Sequence, residues 1–196
     1  MDVKVYVPWV VVAFIIACTL AKTLLPRTLR TLEEMVPHLR NASLVEVKEL
    51  INPADEGYLR LNLPSKAFRQ AQINRLYLLR EHLMRMSHNA VTLQQWATFE
   101  LAKSGKTANK GATDTSRELI QYCFLFRIAS AIVRLRLRFW LMRIRLLPFV
   151  SIPMLAEARK AAGTDIAYTY ERIRETADKL CITSGSRCQS KLSILL

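Results

Sequence analysis

The sequence predicts an all-α protein, with an N-terminal transmembrane helix followed by a helical domain built on a long antiparallel helix hairpin. Three observations carry this. Residues 5–21, VYVPWVVVAFIIACTLA, contain no charged side chain. Two later stretches, 65–103 and 116–147, place apolar residues three and four apart, the period of a helix face. Both stretches lack glycine and proline, the residues that most often interrupt helices.

The leading segment is read as a membrane anchor spanning residues 1–25. With Lys22 snorkelling, it offers about 20 residues, enough to cross roughly 30 Å of hydrocarbon. Ahead of it stand Asp2 and Lys4; behind it come Lys22, Arg27 and Arg30. The positive-inside bias therefore places the N-terminus outside and the body in the cytoplasm. Two alternatives remain at this stage. Thr19, Leu20 and Ala21 offer a site for signal cleavage, and Ile15-Ile16-Ala17-Cys18 resembles a bacterial lipoprotein box with Cys18 as the lipidated residue. The weak positive n-region and the long apolar core favour a retained anchor.

Residues 26–64 read as a juxtamembrane connector. Pro26 interrupts the leading helix, and residues 27–39 form a short amphipathic segment near the headgroups. Ser43 and Glu46 are spaced as a capping box, starting a short helix that ends at Asn52-Pro53. Residues 58–63, YLRLNL, alternate like a strand but have no partner, and are expected to be an extended connector. Asn41-Ala42-Ser43 is a glycosylation sequon, relevant only with the opposite membrane orientation.

Residues 65–183 form the helical domain. Pro64-Ser65 opens a helix to about residue 103, with Leu76, Leu79, Leu83, Met86, Ala90, Leu93 and Ala97 as a heptad seam. Such a seam requires a partner helix, from this chain or, in a coiled-coil homo-oligomer, from a copy. Residues 105–114 are polar and contain Gly105 and Gly111, so they read as a flexible loop. A second capping box, Thr115 with Glu118, starts a helix over 116–147, closed by Pro148.

This second helix is arginine-rich. At about 100° per residue, Arg127, Arg134, Arg138 and Arg145 fall on one line, with Arg136 and Arg143 nearly opposite. Between them run two apolar seams. One is Phe126, Ala129, Val133, Leu137, Trp140, Ile144 and Leu147; the other is Ile128, Ile132, Leu135, Phe139, Met142 and Leu146. The first suits the heptad face of the preceding helix, and the second suits C-terminal helices, a partner or a lipid surface. The helix does not itself span a bilayer. Its six arginines cost roughly 15–20 kcal/mol at the centre, against about 6–12 returned by its apolar residues.

Two shorter helices are expected at about 152–162, ending at Gly163, and at about 165–181, starting from Thr164-Asp165. Their acids (Glu157, Asp165, Glu171, Glu175 and Asp178) are available to pair with the arginines. Residues 184–196 read as a frayed, flexible tail.

The charge is unevenly placed. Residues 66–145 carry fifteen Lys and Arg against four acids, within a chain of net charge +13. A basic block of this kind points to anionic lipid or an acidic protein. Nucleic acid is disfavoured, because the arginines alternate with Leu, Ile, Phe and Trp and leave no broad polar face to enter a groove. Arg127, Arg134, Arg136, Arg138, Arg143 and Arg145 are the candidate lipid- or partner-contact residues.

Nothing marks an enzyme, a cofactor or a metal site. Ser104-Gly105-Lys106-Thr107 resembles the end of a phosphate-binding loop, yet Glu100 stands where that loop needs glycine, and a helix precedes it. His82 and His88 are six apart and do not share a helix face; His38 is isolated. Cys18 and Cys123 lie in apolar runs as small core residues, whereas Cys181 and Cys188 are spaced for a local bridge in an oxidising compartment. The expectation is therefore a membrane-anchored, non-enzymatic interaction or scaffold protein.

Overall fold

The structure is a computed structural model and describes residues 31–107, 109–146 and 155–184. The anchor expected at 1–25, Pro148 and most of the tail lie outside the described residues. No helix among the described residues is long and apolar enough to cross a membrane.

The described chain is helical throughout. A single turn, α1 (Leu32–Met35), passes into a 3-10 turn at Val36–His38. Helix α2 (Leu44–Leu50) starts where expected: Ser43 Oγ accepts the Glu46 N–H at 3.2 Å. Residues 58–63 are not an extended connector, because they belong largely to a further helix, α3 (Pro53–Asn62). Asn52 Oδ1 accepts the Ala54 N–H at 3.1 Å, Pro53 occupies the first turn, and Asp55 and Glu56 complement the helix dipole there. Asn52-Pro53 is thus a start signal as well as a stop.

The body consists of α4 (Ser65–Thr107), α5 (Lys110–Leu146) and α6 (Leu155–Thr183). Most of the loop expected at 105–114 is helix instead, since α4 runs to Thr107 and α5 starts at Lys110. Asn109, rather than the Thr115 box, caps α5, its Oδ1 accepting the Ala112 N–H at 3.2 Å. Thr115 lies inside the helix and donates to the Gly111 carbonyl at 2.9 Å. The two C-terminal helices are likewise one. A single interior glycine costs about 1 kcal/mol, less than the packing of a long apolar stripe returns.

Helices α4 and α5 pack antiparallel, and two hydrogen bonds report their register. Nearer the Thr107 end of α4, Arg127 Nη1 donates to Gln94 Oε1 at 2.6 Å; at the far end Arg69 Nη2 donates to the Ile144 carbonyl at 3.0 Å. All seven heptad-seam residues of α4 are buried. From α5 they meet Val133, Leu137 and Ile144, with Trp96 buried among them and Ala129 and Trp140 packed at the edge. Helix α6 adds Ile166, Tyr170, Ile173, Ala177 and Leu180, and its Tyr170 ring lies 5.2 Å from that of Phe126.

The N-terminal helices pack on α4, and α2 and α3 also on α6. Asn89 pins them there. Its Oδ1 accepts the Arg40 N–H at 2.8 Å, while its Nδ2 donates to the Arg40 carbonyl at 2.7 Å and to Tyr170 Oη at 3.2 Å. One buried amide thereby joins three segments of the chain.

Candidate interaction face on α5

With one side of α5 committed to α4 and α6, the other side is open. Leu125, Ile128, Ile132, Leu135, Phe139, Met142 and Leu146 are all exposed and follow one another at spacings of three and four. Phe124 is exposed beside them. The stripe is about 32 Å long at 1.5 Å per residue, and its residues span roughly 100° of the helix surface. Scattered exposed apolar residues are ordinary, whereas a contiguous stripe marks an interaction surface.

Arginines border both edges. Arg136 and Arg143 are exposed on one side. On the other, Arg138 is exposed, while Arg127 and Arg134 are half-buried against α4. Arg145 lies on α5, but its side chain is outside the described residues. The expected pairing with C-terminal acids is not found among the described residues: Glu171 accepts from Lys48 at 2.7 Å, and Glu175 from Arg172 at 3.0 Å. Instead Arg127 bonds Gln94, and Arg134 Nε donates to the Ser130 carbonyl at 3.3 Å. Residues 119–156 contain six arginines and no acid, so the face has no internal counter-charge.

On the α4 side three guanidiniums converge. Burial holds Arg134 below the ordinary arginine range, and the neighbouring charges of Arg138 and Arg80 push it the same way. Between the helices lies a crevice of about 300 Å³ lined by Tyr77, Arg80, Arg138, Leu141, Met142 and Leu146. Sequence reasoning missed Tyr77 and Arg80. Only the hairpin register brings them to Arg138.

Other features are structural. A larger crevice, about 560 Å³, separates α2 and α3 from α4. Of its buried side chains, Arg75 Nη2 donates to the Glu49 carbonyl at 3.3 Å and His82 Nε2 lies 3.2 Å from Glu46 Oε2. His88 Nε2 lies 3.0 Å from the His38 carbonyl. Among the described residues no three His, Cys, Asp or Glu side chains are grouped to hold a metal ion. Cys123 and Cys181 are both buried, and Cys188 is outside the described residues. Ser104, from the loop-like motif, is buried within α4.

Comparison with protein-family models, curated proteins and solved structures finds no match.

Proposed function

We propose that this is a membrane-tethered helical interaction protein whose working surface is the outer face of α5, laid against an anionic lipid leaflet. One observation carries the reading: an exposed apolar stripe bordered on both sides by arginines with no acid among them. A lipid surface meets both requirements at once. The apolar face enters the boundary between headgroups and acyl chains, and the long arginine side chains reach outward to phosphates. A second copy of the chain would cover the stripe but bring arginine-rich edges together, at a cost in like-charge repulsion. The uncharged segment at 5–21 supports the reading from the sequence side, because an anchored body meets the leaflet at high effective concentration.

The test is nitroxide scanning of residues 124–146 in the full chain, reconstituted in neutral and in anionic nanodiscs. Oxygen accessibility should peak at 128, 132, 135, 139 and 142 in anionic discs only. A flat profile in both would remove the reading.

A further inference from the structure

Resting on that reading, we infer that the crevice between α4 and α5 is a binding site for the phosphate of a lipid headgroup, with Arg80 and Arg138 as its ligands and Arg134 as a third positive charge beside them. The site has the two walls such a molecule needs. Its polar wall is Arg80 and Arg138, close enough to Arg134 for the three charges to repel; none of the three forms an ion pair among the described residues, and the Arg80 Nε is buried without a hydrogen-bond partner. Guanidinium forks match phosphate oxygens two at a time, so one bound phosphate both pairs these donors and screens their repulsion. Its apolar wall is Leu141, Met142 and Leu146. Met142 and Leu146 also belong to the exposed stripe, so the crevice opens onto the surface that faces hydrocarbon. A headgroup held at Arg80 and Arg138 would lay its acyl chains along that stripe. Tyr77 also lines the crevice.

The charge count specifies the headgroup. Three clustered guanidiniums favour a phosphomonoester, which carries up to two negative charges, over a phosphodiester with one. Phosphatidic acid is therefore expected to be held more tightly than phosphatidylglycerol. The exposed edge formed by Arg136 and Arg143 lacks a crevice and should respond to surface charge alone.

The experiment uses the full chain with a nitroxide at Leu135→Cys, in phosphatidylcholine nanodiscs doped with phosphatidic acid or with phosphatidylglycerol. The readout is the lipid fraction giving half-insertion of the label. Wild type should need less phosphatidic acid than phosphatidylglycerol, even at equal surface charge. Arg80→Gln with Arg138→Gln should raise the phosphatidic acid requirement roughly a hundredfold, about tenfold for each guanidinium lost, and abolish the preference. Arg136→Gln with Arg143→Gln should weaken both lipids equally and keep the preference. Arg80→Lys with Arg138→Lys, which keeps charge but loses the fork, should also reduce the preference. Equal effects of the two glutamine pairs, with insertion intact, would overturn the crevice site alone. Failure of the label to insert in either anionic disc would overturn the underlying reading. Inorganic phosphate displacing phosphatidic acid at comparable concentration would overturn the assignment to lipid.

Discussion

Replacing Leu135 and Phe139 with glutamine separates the outer face of α5 from the fold it sits on. These side chains are 68% and 57% exposed, so more than half of each remains available for burial against a partner. Complete burial of such a side chain is worth about 1.5–3 kcal/mol, which leaves about 1–2 kcal/mol each and about 2–4 kcal/mol for the pair. Docking on an anionic leaflet should therefore weaken by roughly 30- to 1,000-fold. Folding should change by no more than about 0.5 kcal/mol, because glutamine is a good helix former and little packing is lost. A nitroxide at Ile128→Cys in the full chain reports docking, and denaturant melts report folding. The contrasting change is Leu137→Ala on the same helix. Leu137 is buried, so about 2–5 kcal/mol of stability should be lost. Docking weakened less than threefold by the glutamine pair, or a melt shifted as far as for Leu137→Ala, would refute the division of α5 into a packed and a free side.

Three further outcomes follow from the core. Asn89→Ala removes both bonds to the Arg40 backbone and the bond to Tyr170, and should cost about 2–4 kcal/mol in urea unfolding; a loss under about 1 kcal/mol would show that the N-terminal helices are not pinned there. Burial pushes the Tyr170 hydroxyl up to about 12, outweighing the opposing hydrogen bond from Asn89. An acid whose folded value lies above its unfolded value of about 10 favours the neutral fold, so this contribution is complete below about pH 10 and lost as pH rises through 12. Stability should fall there by up to about 1 kcal/mol per pH unit, and Tyr170→Phe should flatten that slope. Burial raises the Cys123 thiol strongly, and Cys181 is equally enclosed. In a chain with Cys18 and Cys188 replaced by serine, both remaining thiols should react with a disulfide reagent only as fast as the protein opens; prompt labelling would place them at the surface.

Much of the helical pattern was readable residue by residue. The seam from Leu76 to Ala97 needed only its spacing, since a heptad repeat on a long uninterrupted helix has one face to bury. Terminus signals were less reliable where one residue serves two roles. Asn52-Pro53 both stops α2 and starts α3, and the alternation in 58–63 was too short to tell a strand from turns of an amphipathic helix. Asn109 was hidden in a polar run that resembled a loop, and Gly163 looked like a boundary because propensity alone cannot weigh the packing of α6.

The sequence by itself determined that this chain is helical, strongly basic in its middle and built around a hairpin. Those properties follow from local spacing and composition. It also showed that α5 has two apolar sides, but not which one would be covered. That was decided by the antiparallel packing and register of α4 against α5, and by α6 packing on the same inner side. The same register brings Arg80 to Arg134 and Arg138, more than fifty residues away in the chain. Periodicity records what each helix can bury; only the tertiary structure selects what stays exposed, because a seam is covered only where another helix has the length, direction and register to reach it.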